Sequence, residues 1–421
     1  MASAGTRFIS KNKDPNNEFS IARFASCSRH IHLFRGSEFA RQPEGIPITI
    51  GQQFTVHSAI LDEDRPYYVY LPESYHDDEI VPERYPVLYI LDGDIYFQSM
   101  SGMVQFMSSG INGNYQIPAF IVVGIPNTNR IRDLTPTELT DLPPGPVPPG
   151  LSETGGGDSF FRFLNTELFP RIESDYRTMP YRALAGHSIG GLIGLYALMT
   201  QEHMFNAYLI MDPSLWWENK MLVAMAEDHF PTLNESTSSV YISSASLMAD
   251  ENAPSMAVDA ERFSTILEEA ATRTGLRSYW DYLEREDHGS IPLLSLYNGL
   301  SFVFAGYKPS FREVVNDPQG IVSTYEQLSV RLGAEFLPPE RVLILSALMA
   351  LHQMGDPGKA IEILNITTAL YPESYNAFNL LGTTYLSLGE KDLAASEFRR
   401  SLEQRPNNTE AVTQLAKLAE Q

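Results

Sequence analysis

The sequence predicts an α/β fold with a mostly parallel central sheet, followed by a small all-α domain. Three observations lead to this prediction: apolar runs typical of strands buried on both faces, helical stretches that alternate with these runs, and a 34-residue repeat near the C-terminus. The chain has 421 residues, which is more than one hydrophobic core usually serves, so we expect two domains.

The predicted strands follow one another along most of the chain. Residues 54–60 and 67–71 flank a polar turn and predict an antiparallel hairpin. Six further strands are predicted from apolar runs at 86–91, 119–125, 182–185, 207–211, 240–244 and 278–283. Helices are predicted between them, for example at 159–172, 190–200 and 260–274. This alternation indicates a sheet covered by helices on both faces.

One long segment, 135–157, interrupts the alternation of strands and helices. It contains six prolines and five glycines, a composition that excludes a regular element. Loops of this length are usually functional or mobile. We therefore consider the segment a candidate flap over an active site.

The C-terminal part of the chain repeats itself. Gly355 and Gly389 are 34 residues apart (389 − 355 = 34), and Ala360 and Ala394 have the same offset. This is the period of the tetratricopeptide repeat, in which small residues allow two helices to approach and larger ones fill the space between them.

The repeat defines the predicted domain boundaries. The first domain is predicted at 46–307, a linker at 308–337, and a tetratricopeptide-repeat module with a capping helix at 338–421. Two repeats and a cap are fewer than the three repeats that independent stability usually requires. We therefore expect the module to pack on the first domain or on a second copy of the chain.

Composition excludes several kinds of partner. The formal net charge is −22, which repels phosphate backbones, so we expect no nucleic-acid partner. No apolar run approaches the roughly 18 residues of a membrane span, so we expect no membrane partner. The single cysteine, Cys27, can form neither an intramolecular disulfide nor a thiolate metal cluster.

Residues 1–45 are polar and unpatterned, and 36–39 resemble a cloning-site scar. We interpret them as a leader, either derived from a fusion or disordered, outside the fold. No positively charged segment followed by an apolar run is visible, so we expect no secretory signal. As the chain stands, this predicts a cytoplasmic protein; if the leader replaced a signal peptide, a periplasmic or secreted protein is expected.

A candidate nucleophile lies between a predicted strand and a predicted helix. Gly186, Ser188 and Gly190 form the pattern G-x-S-x-G, the nucleophile elbow. Glycines are needed because the turn brings the strand and the helix too close for side chains. The strained turn exposes the serine hydroxyl at a helix N-terminus, where developing negative charge is favoured. The alternative is a structural glycine turn with a passive serine.

A serine nucleophile requires a general base. His288 follows the last predicted strand in a polar loop, whereas His203 and His229 fall in or beside helical stretches and His352 lies in the repeat module. We therefore predict His288 as the base.

The acid of a serine–acid–histidine triad should precede this histidine in the sequence. The loop after 240–244 offers Asp250, our candidate, and Glu251. Glu286 and a dyad without an acid remain alternatives.

Hydrolysis by a serine also requires two backbone N–H groups directed at the tetrahedral oxyanion. We expect one from Ile189, directly after the nucleophile. The other is expected from Asp94, in the turn after the strand that ends at Leu91. The alternative for this second segment is an ordinary turn.

These motifs resemble the putative-esterase (esterase D-like) family of α/β-hydrolases, and within it the siderophore trilactone esterases. The resemblance covers roughly residues 52–305. It rests on six blocks in the same order, at 68–72, 91–94, 127–136, 186–191, 213–217 and 287–289. It implies Ser188 and His288 as the catalytic pair and Asp94 at the oxyanion hole. It also implies that Arg130 lines the acyl-binding cleft and faces an anionic substrate.

The sequence departs from the family pattern in one block. Asp212 stands where relatives usually carry a serine, and it adds a carboxylate near the site. The acid position after 240–244 does not match the family pattern cleanly either, which leaves the third triad member open. Trp216 and Trp217 follow in the same block, where they either stack on an aromatic acyl group or pack in the core.

The sequence as a whole predicts a serine carboxylesterase that forms an acyl-enzyme, with short-chain acyl esters as the expected substrates. A siderophore trilactone esterase is the alternative substrate assignment. A catalytically inert scaffold, whose repeats bind protein, is the alternative from another class. No cofactor and no metal are implied. The expected partners are a small-molecule ester and, through the repeats, a protein or a second copy of the chain.

Overall fold

The computed structural model describes residues 45–110, 113–140, 153–247 and 256–420. Within them, one eight-stranded sheet has the order β1-β2-β4-β3-β5-β6-β7-β8. Strands β1 and β2, and β2 and β4, pair antiparallel, and all other neighbours pair parallel. The strands are β1 Gln52–Ser58, β2 Glu63–Tyr70, β3 Tyr85–Leu91, β4 Ile121–Ile125, β5 Thr178–His187, β6 Ala207–Met211, β7 Ser239–Leu247 and β8 Arg277–Asp287.

Helices separate the strands. They are α1 Gly93–Ser108, α2 Arg130–Asp133, α3 Gly157–Phe163, α4 Phe169–Asp175, α5 Ile189–Thr200, α6 Trp217–His229, α7 Met256–Ala271 and α8 Ile291–Val303. One π-helical turn, Leu164–Leu168, joins α3 to α4. Short 3₁₀ segments occur at Glu73–His76 and Phe230–Thr232. Among the described helices, none has the length and the apolar composition needed to cross a membrane.

The centre of the sheet is buried on both faces, as the apolar runs predict. Every residue of β3, β4 and β6 is buried. Tyr89 and Leu91 pack towards α3–α7, whereas Leu88 and Ile90 pack towards α1 and α8. Successive side chains of a strand point to opposite faces, so one apolar run serves two cores. The predicted α/β fold class is thereby confirmed.

The C-terminal helices continue one of these two cores. They are α9 Phe311–Asn316, α10 Pro318–Leu332, α11 Glu340–His352, α12 Pro357–Leu370, α13 Tyr375–Ser387, α14 Lys391–Gln404 and α15 Thr409–Ala419. Residues 308–337, predicted as a linker, therefore contain two helices. Their apolar residues pack with α11 and α12 in a buried cluster that also includes residues of α8, which explains why this stretch is ordered structure and not a connecting loop.

The predicted repeats correspond to helix pairs. Helices α12 and α14 begin 34 residues apart (391 − 357 = 34). A Cβ added at Gly382 would lie 2.7 Å from the ring of Phe398, so the small residue allows α13 and α14 to approach. The assignment of these helices to the tetratricopeptide family stays a prediction.

The C-terminal helices pack on the sheet domain. Phe336 lies between them, with its ring centroid 5.3 Å from Tyr181 on β5 and 5.9 Å from Phe304. Polar contacts add to the apolar ones: the Val81 N–H donates to Glu340 at 2.7 Å, and Arg405 pairs with Glu79 at 3.0 Å. The sheet and the helices thus share a hydrophobic core.

The proline-rich segment can be followed only at its ends. Residues 141–152 lie outside the described part of the chain, so the predicted flap is a proposal. At the near end, the Thr137 hydroxyl accepts a hydrogen bond from the Trp217 indole at 3.2 Å. At the far end, the Gly155 N–H donates to the Thr135 hydroxyl at 2.7 Å.

Truncating Phe336 to alanine should destabilise the whole molecule. The ring is buried against Tyr181 and Phe304, and the Phe336 N–H donates to the Ser329 hydroxyl of α10, so F336A should lower the free energy of unfolding by about 3–5 kcal/mol. Urea unfolding followed by far-ultraviolet circular dichroism should give one transition, displaced to lower urea. Two separate transitions, with only one displaced by F336A, would contradict a common core.

Candidate active site

The candidate site lies where several strands end. Ser188, Asp212 and His288 directly follow β5, β6 and β8, and Asp92 follows β3. These strands run parallel, so their carboxyl ends meet at one edge of the sheet, where ligands bind in open α/β folds.

The turn at Ser188 is strained, as the elbow pattern predicts. Its backbone has φ 59° and ψ −117°, a conformation that non-glycine residues rarely adopt. Gly186 permits this turn because an added Cβ would collide with the Gly190 carbonyl oxygen. A Cβ at Gly191 would lie 3.1 Å from Pro213. The glycines therefore allow β5 and α5 to approach closely while Ser188 occupies the apex.

A chain of hydrogen-bonding side chains leads from this serine. The Nε2 atom of His288 lies 3.1 Å from the Ser188 hydroxyl oxygen, and its Nδ1 atom lies 2.6 Å from a carboxylate oxygen of Asp212. Asp212 is 2% exposed, whereas 40% of the His288 side chain is exposed. The second Asp212 oxygen accepts a hydrogen bond from the Ala245 N–H at 3.2 Å. This is the arrangement of a nucleophile, a base and an orienting acid.

The structure brings Ser188 and His288 together and places Asp212 where the sequence analysis expected Asp250. Asp250 and Glu251 both lie outside the described residues. Glu286 accepts a hydrogen bond from the Ser290 hydroxyl at 2.6 Å. The signal for Asp212 was its position directly after a central strand next to β5.

Two helix N-termini meet beside the serine. Ile189 begins α5, and Asp94 lies in the first turn of α1, so their N–H groups have no partner within these helices. A Cβ added at Gly190 would lie 3.5 Å from Leu91 and Asp92, which shows how closely the two turns approach. Both helix dipoles favour negative charge at this point.

Arg130 braces the turn between β3 and α1. Its guanidinium forms two hydrogen bonds with the buried Asp92 carboxylate, at 2.6 and 2.9 Å. The Asn127 amide donates to the same carboxylate at 2.6 Å and to Asp94 at 3.1 Å. The charge of Arg130 is therefore balanced by Asp92, and its predicted contact with an anionic substrate stays a prediction.

A second histidine, His187, lies directly beside His288. The rings of His187 and His288 have centroids 4.4 Å apart, and the Tyr96 hydroxyl lies 3.0 Å from His187 Nδ1. Burial, together with the neighbouring His288, lowers the pKa of His187 to about 4. His187 is therefore neutral near pH 7 and adds no positive charge beside His288.

Of the residues that follow Asp212, some lie near Ser188 and others are buried in the core. The Ser214 hydroxyl lies 3.1 Å from that of Ser188. Trp216 is 43% exposed, whereas Trp217 is completely buried. Trp217 thus fills the core, whereas Trp216 is partly exposed to solvent, and its contact with a substrate stays a prediction. Among the described residues, no group of three or more His, Cys, Asp or Glu side chains is arranged to hold a metal ion.

The sheet, the strained serine and the adjoining histidine and carboxylate define an α/β-hydrolase fold with the site of a serine hydrolase. Comparison with known families agrees. Residues 58–288 match the family described as "Putative esterase", and the chain belongs to this family of ester-hydrolysing enzymes.

Curated relatives share part of this chain. It is 34% identical over 183 residues to the ferri-bacillibactin esterase BesA of Bacillus subtilis, covering 41% of this chain and 62% of that protein. It is 25% identical over 197 residues to the siderophore triacetylfusarinine C esterase of Aspergillus fumigatus, covering 44% and 63%. The chain thus spans less than two thirds of the length of these two relatives.

Among solved structures, an IroE-like serine hydrolase from Shewanella oneidensis is similar with a TM-score of 0.68 and 30% sequence identity. The similarity covers 76% of this chain and 99% of that one. It supports the fold assignment over more of the chain than the family match does.

The protonation state of His187 can be measured directly. A histidine-selective nuclear magnetic resonance titration should show His187 neutral from pH 8 down to about pH 4, because burial opposes its positive charge. The assignment can be made with the variant H187Q. A midpoint near 6.5, the ordinary histidine value, would contradict the described burial.

Proposed function

We propose that this protein is a serine esterase that hydrolyses an ester bond of a siderophore through an acyl-enzyme. The observation that carries the proposal is the continuous contact from Ser188 through His288 to Asp212. This contact also disfavours the inert-scaffold alternative, because a fold without catalytic function has no need to maintain it.

The first half of the proposed reaction forms the acyl-enzyme. His288 Nε2 accepts the proton of the Ser188 hydroxyl as the serine oxygen attacks the ester carbonyl carbon. Asp212 accepts a hydrogen bond from Nδ1–H, which fixes the tautomer of the ring and stabilises the imidazolium that forms. The N–H groups of Ile189 and Asp94 stabilise the oxyanion.

The second half releases the acid. His288 returns its proton to the leaving alcohol as the tetrahedral intermediate collapses. It then removes a proton from a water molecule that attacks the acyl-enzyme. The second intermediate expels Ser188, which regains its proton from His288, and the carboxylic acid leaves.

Two observations favour a siderophore over a simple short-chain ester, which was the main expectation from the sequence. One curated relative is named a siderophore triacetylfusarinine C esterase, and another is named a ferri-bacillibactin esterase. The region around Ser188 is also open: Ile95 on the first turn of α1 is 64% exposed and Trp216 is 43% exposed. Exposed apolar side chains of this size suit a bulky substrate with aromatic acyl groups.

We also infer that residues 338–421 form a tetratricopeptide-repeat module. The 34-residue offset of α12 and α14 and the close approach of Gly382 to Phe398 support this assignment. A protein or a second copy of the chain is the proposed partner of its exposed surface.

A substrate panel tests the proposed specificity. The kcat/KM for a catecholate trilactone should exceed that for p-nitrophenyl butyrate by about tenfold or more, because the larger substrate contacts the exposed apolar surface. S188A should abolish both activities. S188A-sensitive hydrolysis of p-nitrophenyl butyrate with no hydrolysis of the trilactone would refute the siderophore assignment and leave the esterase.

A pair of variants identifies the acid. D212N should lower kcat roughly 10³–10⁴-fold, because the amide cannot accept the Nδ1–H bond in the required tautomer. D250N should have a far smaller effect on kcat. A larger loss in D250N than in D212N would transfer the role to Asp250.

A further inference from the structure

A large cavity lies away from the serine, where the C-terminal helices meet the sheet domain. Its volume is about 750 Å³, within the range of small-molecule sites. Its lining includes the segment after β2, around Glu83, and the start of α11, around Glu340. The cavity therefore exists only because the two parts of the chain are packed together.

Aromatic side chains form much of the cavity wall. They are Tyr70, Tyr85, Tyr115, Tyr307, Phe336 and Tyr371. The Tyr371 hydroxyl is bonded to the Pro338 carbonyl oxygen at 2.9 Å, and that of Tyr85 to Ser74 at 3.1 Å. These bonds fix both rings, so the wall is pre-formed. Aromatic surfaces attract both apolar groups and organic cations.

The cavity also contains an excess of negative charge. Glu340 is buried and accepts hydrogen bonds from the Val81 N–H and the Ser374 hydroxyl. Arg341 pairs with Asp77. Among the described residues, none donates a hydrogen bond to the Glu83 carboxyl. Burial, and then the charge of Glu340, raise the pKa of Glu83 to about 7, and the nearby charge of Arg341 only partly opposes them.

We propose that this cavity is a second ligand site, which binds an organic cation: a primary ammonium or guanidinium group on an apolar body. The cationic group lies between the carboxylates of Glu83 and Glu340, and the apolar body packs on the aromatic wall. A cation at this point removes the repulsion between the two carboxylates and gives the Glu83 carboxylate a hydrogen-bond donor.

Such a ligand also links the two parts of the chain. It contacts the sheet domain at Glu83 and the helical domain at Glu340, and the packed arrangement is the one that forms the site. Binding therefore stabilises the packed arrangement, and the melting temperature rises with ligand concentration.

Isothermal titration calorimetry of the full chain at pH 8 tests the proposal with two probes of similar shape. Phenethylamine carries an ammonium group, and 2-phenylethanol carries a neutral hydroxyl in its place. Phenethylamine should bind at least about tenfold more tightly, because only the ammonium interacts with the two carboxylates. Equal affinities, or no binding of phenethylamine at millimolar concentration, would overturn the proposal.

Variants locate the binding site. E83Q keeps the shape of the side chain and removes its charge, and should weaken phenethylamine binding about tenfold. E202Q removes an exposed carboxylate (88% exposed) outside the cavity lining and is the matched control, with the affinity of the wild type. S188A should also bind as the wild type does, which separates this site from the esterase site. An E83Q protein with wild-type affinity would contradict the assignment.

The pH dependence gives an independent measure on the wild type. Glu83 becomes protonated as the pH falls through about 7, so the affinity for phenethylamine should fall between pH 8 and pH 6 while the amine stays charged. Besides its tyrosines, the cavity lining holds these other ionisable side chains: Glu73, His76, Asp77, Arg84, Glu335, Glu340 and Arg341. Burial raises the pKa of Glu340 as well. An affinity that rises over the same interval would contradict the role of Glu83.

Discussion

The backbone of Ser188 is the constraint on which the rest of the site depends. Its positive φ places the hydroxyl at the apex of a turn that β5 and α5 could not otherwise make. Gly186 and Gly191 allow the close approach that holds this turn. The Ser188 N–H donates to the Met211 carbonyl oxygen at 3.0 Å, and the Ser214 N–H donates to the Ser188 carbonyl oxygen at 3.1 Å. The turn is therefore fixed to the adjacent end of β6.

The end of β6 also positions the acid, Asp212. Asp212 has a φ of 42°, and its N–H donates to the Ser243 carbonyl oxygen at 2.9 Å. A left-handed residue after a buried strand turns its side chain back over the edge of the sheet, here towards His288. Asp92, at the end of β3, has a φ of 53°, and its carboxylate likewise accepts hydrogen bonds from Arg130. At the carboxyl ends of two parallel strands, an aspartate with a positive φ thus directs its carboxylate towards a partner at the edge of the sheet.

The sequence was sufficient for the parts of this structure that depend on local pattern. The apolar runs predicted every strand of the described sheet to within a few residues, and the G-x-S-x-G spacing identified the turn at Ser188. His288 followed from its place after the last strand. The contact with Asp212 depends on tertiary geometry, because residues far apart in the sequence meet only when β6 and β8 are packed in one sheet. The pairing of Arg130 with Asp92 and the helices in residues 308–337 depend on packing in the same sense.

Asp212 and Glu83 occupy different physical environments. Asp212 is buried with hydrogen-bond donors on both oxygens, so its negative charge is used to orient His288. Glu83 lines a cavity with a second carboxylate near it, and burial and that carboxylate outweigh the nearby Arg341 in raising its pKa. The first arrangement is complete without a ligand, whereas the second favours one of opposite charge.

The most direct test of the account is to identify which serine reacts with a fluorophosphonate. Peptide mapping by mass spectrometry should find one adduct per chain, on Ser188, and the labelling rate should fall sharply in H288A. An adduct on Ser214, or labelling of Ser188 that does not depend on His288, would contradict the central claim that the strained turn and the histidine together activate this hydroxyl.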